Sequence, residues 1–118
     1  MTPEHLLMNQ IRLWCGQHGF PVIRLNSGKA WAGKVVDTPE YGRVVLNPKA
    51  VELCQEGTSD LMVILPNKIA FIETKIHPRK PTKDQLNFIA KMTALGHITG
   101  VVYSLDEFVD LLILNRAI

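Results

Sequence analysis

Asp60, Glu73 and Lys75 stand where a surface role explains them poorly. Asp60 opens one β-rich run, Leu61–Leu65, and Glu73 and Lys75 close the next, Ile69–Lys75, across a Pro66-Asn67 turn. Residues two apart on a strand point to the same face, roughly 7 Å apart. A two-residue loop at Pro66-Asn67 pairs Asp60 with Glu73, and a loop at Asn67-Lys68 pairs Asp60 with Lys75. In either case the three side chains share one face at one end of the hairpin. Two acids facing each other repel unless a cation joins them. A hard divalent ion fits, because Mg²⁺ takes one or two carboxylates plus water and leaves positions for phosphate oxygens. A lysine beside it can orient or help deprotonate water and stabilise charge developing at phosphorus. The plainer alternative is a surface ion pair of Lys75 with Glu73 or Asp60. The hairpin is otherwise apolar on both faces, as in the middle of a sheet, which favours the metal site.

Two more residues lie within reach of that end. Gln85 completes a capping box with Thr82, which alone would explain it. It also shares a helical face with Phe88, Ile89 and Met92, which points it toward the sheet. Glu4 lies on the stripe of Leu7, Ile11 and Trp14, at the start of a core-facing row. An acid in a first helical turn is also favoured by the helix dipole. Between Lys75 and Lys83 the chain carries His77, Arg79, Lys80 and Lys83 with no acid. That run leads out of the presumed site, where a phosphate backbone would lie, although charge runs are commonly solvated faces. Ser27 and Lys29, in the polar loop Asn26–Lys29, form a second candidate contact to phosphates. Trp31 is read as a core plug rather than a base-stacking residue.

These residues need elements to hold them. Thr2-Pro3-Glu4 opens a helix with a hydroxyl cap and proline at the first position, and Gly19 ends it. Pro21–Leu25 reads as a strand. Residues 26–59 are the least legible, with a strand expected at Arg43–Leu46 and Pro48–Glu56 open between helix and strand. After the hairpin, Thr82 caps a helix ending at Leu95-Gly96, Ile98–Tyr103 is a buried strand, and Ser104–Glu107 is a capping box for a last helix that turns Phe108, Val109 and Leu112 inward. The order α-β-β-β-β-α-β-α is an α/β layer fold with a mixed sheet.

Composition narrows the classes. The chain has 118 residues, 47% hydrophobic and 20% charged, which is one domain's worth over 1–118. Thirteen Lys and Arg against eleven Asp and Glu leave a net charge of +2, so nucleic-acid contact must come from local clustering. Cys15 and Cys54 have no metal-ligand spacing, and His5, His18 and His97 are isolated. Cys15 and His18 are helical neighbours without a third group to make a thiol nucleophile. The N-terminus lacks a signal peptide's basic-then-apolar order, and apolar stretches fall far short of a membrane span. A cytoplasmic protein without a membrane partner is expected. Gly28–Lys34 matches GxxxxGK, but Val35 replaces the Ser or Thr and the next residues cannot open a helix, so no nucleotide cofactor is expected.

Gly57-Thr58-Ser59-Asp60 followed by Ile72-Glu73-Thr74-Lys75 resembles the Asp…Glu-x-Lys signature of the PD-(D/E)XK nucleases, most closely the VRR-NUC (virus-type replication-repair nuclease) group. The resemblance runs from the helix carrying Glu4 to the last helix. It implies a restriction-endonuclease-like αβββαβ core, a central mixed sheet flanked by helices. It also implies Asp60 and Glu73 as metal ligands, the Thr74 carbonyl as a backbone ligand, Lys75 as the catalytic lysine, Gln85 as part of the active-site motif and Glu4 as a further acid of the site. Ser59 departs from the proline the family often has there, which changes turn rigidity more than chemistry.

The expected activity is that of a Mg²⁺- or Mn²⁺-dependent DNA endonuclease hydrolysing phosphodiesters, with branched or four-way junction substrates implied by stand-alone phage or prophage members. The alternatives are a non-catalytic nucleic-acid-binding module of the same fold, and an exonuclease or RNA-directed nuclease. The intact Asp60, Glu73 and Lys75 set argues against the binding module. A homodimer is expected, since Leu111-Leu112-Ile113-Leu114 cannot all face one core from a helix.

Overall fold

The structure is a computed structural model that describes residues 1–25 and 29–118. Its elements are α1 (Pro3–Gln17), β1 (Val22–Arg24), β2 (Lys29–Thr38), β3 (Gly42–Glu52), β4 (Leu61–Leu65), β5 (Lys68–Thr74), α2 (Lys83–Ala94), β6 (Ile98–Val102) and α3 (Leu105–Leu114). Thr2 caps α1 by accepting the His5 N–H at 3.2 Å, and Pro3 enters the first turn, where no backbone donor is needed. No helix among the described residues is long and apolar enough to cross a membrane.

Four strands form a mixed sheet in the order β1-β4-β5-β6. The pairs β1/β4 and β4/β5 are antiparallel, and β5/β6 is parallel, with α2 as the crossover. Taken without β2 and β3, the chain runs α1-β1-β4-β5-α2-β6, an αβββαβ core. Leu65 pairs with Lys68 and Leu61 with Ile72, so the tight Pro66-Asn67 loop is the one adopted. Asn67 supplies the left-handed conformation (φ 57°) that the loop needs.

Alternation on these strands separates two faces. Leu61, Val63 and Leu65 on β4 and Ala70 and Ile72 on β5 are buried with Leu7, Met8, Ile11 and Cys15 of α1 and Phe108 and Leu112 of α3. Trp14 meets Phe108 edge-on, with centroids 5.7 Å apart, joining the two helices. The other face meets α2, where Phe71 packs edge-on against Phe88 at 5.5 Å. α3 lies close on β6, so that a Cβ at Gly100 would come within 2.5 Å of Leu111 Cδ2.

Two expectations are corrected. The strand expected at Arg43–Leu46 is present within the longer β3, but it does not stand alone: β2, which was not expected, pairs with it in a separate antiparallel ribbon inserted between β1 and β4. The β-branched pairs Val35–Val45 and Val36–Val44 drive it, and Gly42 (φ 67°) closes its turn. Gly33, Asn47 and Pro48, which look like breakers, mark a bulge where the register shifts between Ala32 and Lys34. A Cβ at Gly33 would approach the Leu46 carbonyl to 2.6 Å. The ribbon therefore continues through Pro48 to Glu52. The second correction concerns α3. Ser104 accepts the Glu107 N–H at 3.1 Å, but among the described hydrogen bonds Glu107 does not return the contact, so the cap is one-sided.

Candidate active site

The β4–β5 hairpin and the first turns of α1 and α2 meet at one end of the sheet. Glu4, Asp60 and Glu73 each bring one carboxylate oxygen there, all within 4.8 Å of one another. The register explains the Asp60–Glu73 approach: the Leu61–Ile72 pair is the last of the ladder, and the next positions outward are these two acids.

Asp60 is held from β5. Thr74 donates its backbone N–H (2.8 Å) and its hydroxyl (2.7 Å) to Asp60 Oδ2. The Asp60 carbonyl accepts the Leu25 N–H at 2.8 Å, which ties the same residue to the end of β1. The approach to Asp60 depends on Gly57. Its φ is 90°, and a Cβ there would lie 2.5 Å from the Asp84 carbonyl oxygen, so only glycine lets this loop lie against the first turn of α2.

Glu73 is 2% exposed. Its Oε1 accepts the Gln85 side-chain amide at 2.9 Å and lies 3.7 Å from the Lys75 ammonium. Its Oε2 is buried without a hydrogen-bond partner. Burial, and then the charge of Asp60, push the Glu73 carboxyl from its ordinary 4.5 up to about 8, against the pull of Lys75. A buried oxygen without a donor, in a group destabilised by its neighbours' negative charge, is the arrangement a bound cation would relieve. Three acids and no histidine or thiolate make a hard-oxygen donor set, which fits Mg²⁺ or Mn²⁺.

The two explanations of Gln85 are both realised. Its Oε1 accepts the Thr82 N–H at 2.8 Å while its amide reaches Glu73, so one side chain caps α2 and binds the acid. Glu4 likewise lies in the first turn of α1 and in the carboxylate group at once. Thr74 is fully buried between Glu73 and Lys75. His77, Arg79, Lys80 and Lys83 follow on the surface, outside the cluster. Ser27 and the side chains of Lys29 and Trp31 lie outside the described residues. Cys15 is buried and its thiol is pushed up to about 11 by burial, which leaves it unreactive.

Sequence reasoning missed two supports. Thr74 was expected only through its carbonyl, whereas its hydroxyl and N–H position Asp60. Tyr103 stacks on the His77 ring, with centroids 4.1 Å apart, and donates its hydroxyl to the Arg79 carbonyl at 2.9 Å. Neither carries a signal at the level of spacing.

No family model matches the chain. A solved structure described as a VRR_NUC domain superposes with a TM-score of 0.61 over 96% of each chain, at 23% identity. A curated relative, "Putative nuclease p44" of Acyrthosiphon pisum secondary endosymbiont phage 1, is 44% identical over 59 residues. That match spans 49% of this chain and 63% of the relative, so less than two thirds of the relative's length is covered.

Proposed function

We propose that this chain, which has the fold of a VRR_NUC domain, is a divalent-metal-dependent nuclease that hydrolyses DNA phosphodiesters, with branched DNA as its preferred substrate. One observation carries the proposal: three carboxylates, from the first turn of α1, the residue preceding β4 and the end of β5, converge within 4.8 Å, beside a lysine and around a buried oxygen without a partner. A merely structural ion pair needs one acid for one base. The similarity to a phage protein named as a nuclease supports the same activity.

Asp60, Glu73 and Glu4 would hold Mg²⁺ or Mn²⁺, with the Thr74 carbonyl as a further ligand. Bound there, the ion supplies positive charge to phosphoryl oxygens and lowers the pKa of water. Thr74 fixes Asp60, and Gln85 fixes Glu73. Both acids are therefore preorganised and need no rearrangement as charge develops. Lys75 sets its ammonium beside Glu73, where it donates to phosphate oxygens or orients the attacking water. Arg79, Lys80 and Lys83 extend from the site as a basic track for the backbone, with His77 at its start and Ser27 and Lys29 as further contacts.

We also propose a homodimer acting in the cytoplasm of a host cell, which would set two such sites against the two strands of a four-way junction. Ile113 and Leu114 at the end of α3 support it, being 55% and 80% exposed. The test is a panel of single-stranded, duplex, flap and four-way DNA with Mg²⁺, Mn²⁺ or EDTA. Cleavage is expected with either ion, is highest on branched DNA and stops in EDTA. Cleavage that persists in EDTA, or none on any DNA, contradicts the proposal.

A further inference from the structure

A cleft of about 350 Å³ opens between the start of α1 and the segment following β5. Pro3 and Glu4 form one side, and Ile76, His77, Pro78 and Arg79 the other. Glu4 belongs to the carboxylate cluster as well, so the cleft and the candidate metal ligands share a wall.

The opposite wall is fixed by three contacts. Tyr103 stacks on His77 with the rings 13° from parallel, its hydroxyl binds the Arg79 carbonyl, and the Arg79 N–H closes a turn onto the Ile76 carbonyl at 2.9 Å. With one face of His77 covered by Tyr103, the imidazole offers the cleft its edge or its other face. Two pyrrolidine rings, an isoleucine and an imidazole make an apolar surface suited to a flat ring. The volume lies at the small end of ligand pockets, right for one nucleoside and too small for a base pair. Arg79 of the basic track lines the cleft, so a strand threaded there meets positive charge on its backbone.

We propose that this cleft seats one unstacked nucleobase adjacent to the phosphate that is cut. The substrate strand must then be unpaired at that nucleotide, as at a flap or a branch point, whereas in intact duplex the base has to be pulled out first. The inference rests on the nuclease activity proposed above and names what that same site selects.

The experiment maps the cut on flap DNA with the wild-type chain, then replaces the base on each side of the cut, in turn, by an abasic unit. Dissociation constants are measured in Mg²⁺ with Lys75→Ala, so that binding is read without cleavage. One abasic position should weaken binding roughly 5- to 100-fold, the range of a lost stacking contact. Adding His77→Ala should weaken binding of intact DNA but change binding of the abasic DNA little, and His77→Phe should restore the intact-DNA affinity. His77 is exposed, and thermal unfolding of both variants shows whether the fold is kept. If the His77 and abasic effects simply multiply, or His77→Phe fails to rescue a folded chain, the base seat is overturned and the nuclease activity stands. If the wild type cuts no DNA, the nuclease activity falls and the base seat with it.

Discussion

Thr74 gives both its backbone N–H and its hydroxyl to a single oxygen of Asp60, at 2.8 and 2.7 Å. That oxygen is occupied and the carboxylate cannot rotate without breaking two bonds. Among the described hydrogen bonds Asp60 Oδ1 has none. The tether comes from the residue between Glu73 and Lys75, so the strand that carries one acid also aims the other.

Thr74→Val keeps the shape and removes the hydroxyl. A hydrogen bond to a charged group contributes about 1.5–3 kcal/mol, so Mn²⁺ affinity should fall roughly 10- to 100-fold. Thr74→Ser should retain most of it. Calorimetric titration of both variants reads the effect, and equal affinities for Val and Ser variants would remove the tether from the account.

Glu73 has a pH signature. Its carboxyl titrates near 4.5 when ordinarily exposed and near 8 in the fold without metal. Between those values the unfolded chain has released the proton and the folded chain keeps it, so this group's contribution to stability falls as pH rises and levels off above about 8. In EDTA, Glu73→Gln should therefore gain in Tm relative to wild type as pH goes from 5 to 8. A gap that stays constant over that range would mean the carboxyl is not disfavoured.

In the proposed mechanism Lys75 acts on charge that forms only during the reaction. Lys75→Ala should lower kcat by about 10²–10³-fold while DNA affinity changes little. Single-turnover kinetics alongside a binding titration separate the two, and a kcat within a few-fold of wild type would make Lys75 a bystander.

Arg79, Lys80 and Lys83 are expected to hold phosphates. Each contact contributes about 0.9 to the slope of log K against log salt on duplex DNA, so the triple alanine variant should lose up to about 2.7. An unchanged slope would return the segment to a solvated surface.

Much of the geometry of the candidate site was legible because the hairpin is short and its turn strongly typed. Once Pro66-Asn67 forms the loop, the period of the strand places Asp60 opposite Glu73 without further information. Gln85 and Glu4 were legible as candidates because helical spacing turns them toward the sheet, although spacing alone could not show that each serves its helix end and the cluster together. Of the ribbon, only the Arg43–Leu46 part of β3 was legible. Gly33 and Pro48 read locally as breaks, and only pairing with a distant strand converts them into one bulge. Thr74 and Tyr103 were missed for a related reason, since a threonine in a strand and a tyrosine at a strand end are ordinary until their partners are in place.

In the proposed site Glu4, Asp60 and Glu73 hold the metal together. Calorimetric titration of Mn²⁺ into the full chain, beside Asp60→Ala and Glu73→Gln, tests it most directly. Saturable binding is expected in the wild type and is lost in both variants while their thermal unfolding stays cooperative. Folded variants that bind Mn²⁺ as the wild type does would contradict it and place any metal elsewhere.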